Sequence, residues 1–181
     1  MKITLQDPIS QTKNWLNTFI IKHTICPFAK REYDRDSIHY ELITSEAIED
    51  QLQALIQSCA ALENNSEIET SLLIYPKGLN DFDDYLDFLA IASDLLDKQG
   101  YEGIFQLASF HPDYCFDGVD SDDASNYTNR SPYPTLHIIR EASLERVLEN
   151  YPDPESIPQR NIEYTRELGI DVLKKILADC N

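Results

Sequence analysis

The hexapeptide TSLLIY, Thr70 to Tyr75, followed at once by Pro76, decides the fold class. A short apolar run of this length reads as a buried strand, and the proline closes it. Amphipathic helical patterns flank it on both sides. Upstream, residues 45–63 put Ile48, Leu52, Leu55, Ile56, Cys59 and Leu62 on one stripe. Asn64-Asn65-Ser66 then supplies a turn. Downstream, Asn80 or Asp81 caps a helix that runs to about Gln99, and Gly100 closes it. Phe82, Tyr85, Leu86, Leu89, Ala92 and Leu96 face inward there, while Asp83, Asp84, Asp87 and Asp94 face water. A buried strand between two amphipathic helices is the repeating unit of an α/β protein.

The same pattern extends outward. Residues 9–25 carry Trp15, Leu16, Phe19 and Ile20 on one helical face; Pro27 interrupts, and residues 28–33 add a short helical turn. SIHYELIT (residues 37–44), IFQLASF (104–110) and TLHIIR (135–140) read as strands. A helix follows from Glu141 or Ala142 to about Glu149 and is broken by the proline-rich residues 151–158. Ser156 with Gln159 resembles a capping box for a last helix reaching about Ala178. The order is α-β-α-β-α-β-loop-β-α-α. It predicts a single-domain sandwich of helices on a mixed sheet of about four strands. An α+β arrangement is the alternative.

Fifteen basic against 32 acidic residues leave a net charge of −17. Such a surface repels phosphate backbones and anionic lipid, so neither nucleic acid nor membrane is an expected partner. The N-terminal residues 1–11 have no apolar run, and no stretch approaches the roughly 18 apolar residues of a membrane span. A soluble cytoplasmic protein is expected, with Cys26, Cys59, Cys115 and Cys180 as free thiols. Nothing in the sequence sets an oligomeric state or names a cofactor.

The chemistry concentrates between the last two strands. Residues 111–134 form a loop far longer than ordinary connections, and its aromatic residues favour order over disorder. Arg130 offers a planar fork to carboxylate or phosphate, and Asn126 and Asn129 can orient a ligand. Ser109 lies before the loop, and His137 and Arg140 lie after it. His111 and His137 suit proton transfer near neutral pH. The same residue types also serve to satisfy loop backbone or to pack in a strand. Cys26 is a second candidate. If Pro27 takes the first helical position, Cys26 becomes an N-cap whose thiolate is favoured by the helix and by Lys30 and Arg31. A buried structural cysteine is the plain alternative. The segment CPFA also resembles a one-cysteine redox motif, with Tyr133-Pro134 resembling a facing proline-led strand, although the pattern before Cys26 is helical. The acidic residues 117–123 miss the spacing of a calcium loop, and no tight Cys/His spacing supports zinc. No metal site is expected.

Four motifs together resemble a known family: Cys26-Pro27-Phe28-Ala29, then residues 105–112 (FQLASFHP), 126–134 (NYTNRSPYP) and 136–141 (LHIIRE). The chain resembles the bacterial family called domain of unknown function 1415, from about Trp15 to the last helix. The resemblance implies a single-domain bacterial cytoplasmic protein and marks these segments as the family's signature. It brings no reaction with it. Where that family often has a His-Pro pair after the second strand, this chain has Tyr75-Pro76.

Three functional expectations follow. The first is an enzyme binding a small anionic substrate, with Ser109, Asn126, Asn129, Arg130 and Arg140 holding it and His111 or His137 moving protons. The second is a monothiol redox or thiol-transfer protein using Cys26. The third is a non-catalytic metabolite- or protein-binding module.

Overall fold

The computed structural model describes residues 7–180. Residues 1–6, part of the N-terminal stretch read above for targeting signals, lie outside the described residues. Four strands, β1 (Ile38–Leu42), β2 (Thr70–Ile74), β3 (Phe105–Phe110) and β4 (Thr135–Arg140), form one sheet in the order β1-β2-β4-β3. β1 and β2 are parallel, and β4 is antiparallel to both of its neighbours. The last strand therefore inserts between two strands that share a direction. α3 (Ile48–Asn64) carries the crossover from β1 to β2, and α4 (Phe82–Lys98) carries the chain from β2 to β3. Parallel neighbours need such long connections, whereas β3 and β4 are joined directly through residues 111–134.

Alternation along the strands divides the core in two. Leu73, Leu136, Ile138 and Phe105 pack with Leu55, Cys59 and Leu62 of α3 and with Tyr85, Phe88 and Ala92 of α4. The opposite face receives α1 (Pro8–Trp15), which continues as a π-wound segment, Leu16–Ile21. Trp15, Leu16, Phe19 and Ile20 are buried there beside Ile38, Tyr40 and Phe110. α2 (Ala29–Asp34) and α5 (Glu141–Glu149) border the same face, while α6 (Ile157–Leu168) and α7 (Ile170–Ala178) close the end. The molecule is an α/β sandwich with helices on both faces of a mixed sheet.

Several boundaries differ from expectation for local reasons. Ser45 Oγ accepts from Ala47 N–H at 3.3 Å and donates to Asp50 at 2.6 Å, and Ala47 is extended, so α3 begins at Ile48. Asp81, not Asn80, caps α4, accepting from the Asp83 and Asp84 amides at 2.9 and 3.1 Å. No capping box forms at Ser156, whose hydroxyl donates to the Asp153 carbonyl at 2.8 Å. The last helix is two helices because Gly169 takes φ 80°, ψ 151°, a conformation essentially closed to residues with a Cβ. Cys26 is not an N-cap: α2 starts at Ala29 with Phe28 before it. The chain before Cys26 is helical, which removes the strand that the redox-motif reading needs.

Candidate functional site

The long loop is ordered by the very side chains that made it a candidate. His111 is fully buried and sits against Phe82 and Tyr85, ring centroids 5.2 and 5.1 Å away. Its Nε2 lies 3.0 Å from the Leu79 carbonyl, which can only accept, so Nε2 carries the proton. Its Nδ1 then accepts from the Asp113 amide at 3.0 Å. Both nitrogens are engaged by backbone, and burial holds the imidazole below its ordinary pKa. Asn126 is fully buried as well; its Oδ1 accepts from the Phe116 amide at 3.0 Å and its Nδ2 donates to the Asp120 carbonyl at 2.8 Å.

The remaining loop candidates follow suit. Asn129 Nδ2 donates to the Ser109 carbonyl at 3.0 Å. Arg130 lies over the Tyr127 ring and donates to the carbonyls of Tyr114 (3.1 Å) and Ser121 (2.9 Å). A loop of this length carries many amides and carbonyls that no sheet or helix pairs, and these side chains pair them. The structure thus places Ser109, His111, Asn126, Asn129 and Arg130 in a backbone-bracing network, and none of them lines the cavity between the sheet and its second helical face.

A cavity of about 170 Å³ opens between the sheet and the helices of its second face. Trp15, Leu16 and Ile20 form one wall, from α1 and the π-wound segment; Phe28 and Ala29 form another; Leu144 and Val147 of α5 close it. A π-wound turn widens the helix and often marks functional positions. The floor is sheet: Thr70 and Leu72 of β2, Phe110 of β3, His137 and Ile139 of β4. The register explains the convergence, because His137 lies opposite Leu72 and Ile139 opposite Thr70, on one face. The walls are mainly apolar, with few polar groups interspersed: Cys26, Glu32, Glu69, Thr70, His137, Arg140 and Ser143.

His137 is the polar centre. The Thr70 hydroxyl lies 2.5 Å from the Ile138 carbonyl and 2.6 Å from His137 Nε2. A carbonyl cannot donate, so the single hydroxyl proton goes to Ile138, and Nε2–H must donate to Thr70 Oγ1. The free lone pair is then on Nδ1, which has no hydrogen-bond partner among the described residues. Desolvation pushes the imidazole down to about 4, so it is neutral at pH 7 and Nδ1 is an acceptor.

Cys26 also borders the cavity, but burial pushes its thiol up, only partly offset by the amides of Phe28 and Ala29. Arg140 borders it with its guanidinium already engaged, donating to the carbonyls of Leu62 in the last turn of α3 and of Asn65 and Ile68 in the loop that follows. Glu32 accepts from Ser37 Oγ at 2.7 Å. Of the sequence candidates, the structure brings together Cys26, His137 and Arg140. It adds Trp15, Thr70 and Glu69, which sequence reasoning missed. Thr70 at the start of an otherwise apolar buried strand was the available signal, since a polar residue there needs a partner.

No group of three or more His, Cys, Asp or Glu side chains is placed to hold a metal ion among the described residues. No helix among them is long and apolar enough to cross a membrane. A family model described as protein of unknown function (DUF1415) matches residues 7–175. No curated protein matches the chain, and no solved structure matches it.

Proposed function

The chain belongs to the DUF1415 family, and from the cavity's chemistry we propose that it binds a small, largely apolar molecule carrying one hydrogen-bond donor. The supporting observation is the pairing of mainly apolar walls with the unpartnered acceptor Nδ1 of His137, beside which the buried Glu69 Oε1 is a second unpartnered acceptor. Burying an apolar body supplies the driving force, and one placed polar group gives orientation. An apolar cavity of about 150 Å³ holds one benzene ring, so the about 170 Å³ here suits a ring-sized ligand. Thr70 fixes the tautomer, and the tautomer selects a donor.

This reading develops the expectation of a binding module. An anion has little to recommend it in this cavity. Its one guanidinium, Arg140, is turned to carbonyls, and Glu32 and Glu69 add carboxylates. Thiol chemistry at Cys26 is disfavoured because burial opposes the thiolate.

Trp15 is the single tryptophan, is 1% exposed and lines the cavity, so its fluorescence reports occupancy directly. Phenol and benzene are titrated against the protein by calorimetry and by Trp15 emission. Phenol is expected to bind and to change the emission, about five-fold more tightly than benzene, the worth of one hydrogen bond. Leu144→Phe, which fills the cavity from α5, is expected to abolish both. Failure of either compound to bind, or binding that survives Leu144→Phe in a folded variant, overturns the proposal.

A further inference from the structure

We propose that Lys22, His23, Thr24, Arg160 and Tyr164 form a second site, a surface pocket that binds a small oxyanion of the phosphate or carboxylate kind. These residues line a depression of about 280 Å³ where the end of the π-wound segment meets α6. It is separate from the His137 cavity and shares no lining residue with it. Every polar side chain in it can donate a hydrogen bond, and no carboxylate lines it.

That composition is unusual in a chain with 32 acidic and 15 basic residues. Of the other basic side chains, Lys30, Lys98, Arg31, Arg35 and Arg166 pair with carboxylates, and Arg130 and Arg140 are engaged by loop carbonyls. Lys22 and Arg160 form no ion pair among the described residues. Two unpaired cations converging on one depression in a strongly acidic molecule leave a local positive potential that an anion would fill.

The backbone supplies an independent observation. Thr24 ends the helical segment at φ 53°. Glycine is the ordinary residue for that position, and a β-branched side chain there is strained. Such strain persists where the side chain has a use. The Thr24 side chain lines the pocket, and its hydroxyl has no hydrogen-bond partner among the described residues. The Thr24 carbonyl and Asn161 Oδ1 both accept from Nη2 of Arg160, which fixes the guanidinium beside the pocket and leaves its Nη1 and Nε without partners among the described residues. His23 is held by Nδ1 at 2.7 Å from the Tyr164 hydroxyl. Desolvation and the adjacent Lys22 charge keep His23 below its ordinary pKa, and the charge of an arriving anion would act against that shift.

The test is a titration of the isotope-labelled full chain with inorganic phosphate, and separately with acetate, at ionic strength held constant with potassium chloride. Nuclear magnetic resonance follows the His23 ring and the amides of Lys22, Thr24, Ile25 and Arg160. Saturable shifts confined to these groups are expected, and the tighter of the two anions identifies the class. Thr24→Gly removes the hydroxyl and relieves the strain. It is expected to melt no lower than the parent while binding about five-fold more weakly, the loss of one hydrogen bond. Arg160→Gln is expected to remove the shifts. Shifts no larger than those in chloride alone, or a Thr24→Gly protein of undiminished affinity, overturns the proposal.

Discussion

Acidification should weaken this fold through His137, by an amount that follows from its burial. In the folded protein the imidazole titrates at about 4, against 6.5 when unperturbed, because β2, β4 and the cavity walls desolvate it. The unfolded chain therefore takes up a proton near pH 6.5 that the native state refuses until about pH 4. Stability contributed by the neutral form is complete above 6.5, falls as the pH drops between those values, and is constant below them. At about 1.4 kcal/mol per pKa unit, the displacement corresponds to about 3 kcal/mol. His137→Gln keeps a donor for Thr70 and does not titrate. Urea unfolding of both proteins between pH 7 and pH 4 isolates the effect, since the carboxylates and His111 are common to both. The parent is expected to lose about 3 kcal/mol more than the variant across that range. Parallel stability curves would refute the reasoning and show that water reaches the imidazole freely.

Other outcomes follow from the same geometry. Asn126→Ala leaves the Phe116 amide without a partner and takes one of its two donors from the Asp120 carbonyl, and a loss of about 1–3 kcal/mol is expected in urea unfolding, with faster hydrogen exchange at Phe116. Tyr85→Phe removes a buried hydroxyl that donates to the Thr135 carbonyl at 2.8 Å and accepts from the Phe110 amide at 3.2 Å. It should cost about 1–3 kcal/mol, read from the same unfolding midpoint. Cys26 should be alkylated by iodoacetamide at neutral pH at least about tenfold more slowly in the native protein than in urea, because burial disfavours its thiolate. Peptide mapping of the labelled site checks this, and equal rates in both states would count against a buried thiol.

The periodicity of residues 48–62 and 82–96 was enough to place two crossover helices, and TSLLIY enough to place the central buried strand. These signals are local: a helix repeats every 3.6 residues and a fully buried strand is uniformly apolar, whatever surrounds them. The ends of elements were less legible because single side chains decide them. Ser45 holds residues before α3 extended, and Gly169 breaks a stripe that is otherwise continuous into α7.

The candidate site was legible only in part. The loop of residues 111–134 was conspicuous for its length and polar residues, and its polar groups answer the backbone demands of the loop itself. Sequence shows that Asn126, Asn129 and Arg130 carry hydrogen-bonding capacity. It does not show whether a ligand or a carbonyl uses it, because the partners lie up to 20 residues away along the chain. His111 and His137 make the same point as a pair. Both are histidines at the ends of the same hairpin, yet one has two backbone partners and the other keeps a nitrogen free.

By itself the sequence determined most of the helices, the four strands and their succession along the chain, and the charge that surrounds them, because these depend on near neighbours and composition. Tertiary structure alone decided that β4 lies between β2 and β3. That placement sets His137 beside Thr70, 67 residues away, and under Trp15 of α1. Strand order arises from competition among pairings distant in the chain, and a cavity is the space that packing leaves. Neither is a property of any one segment.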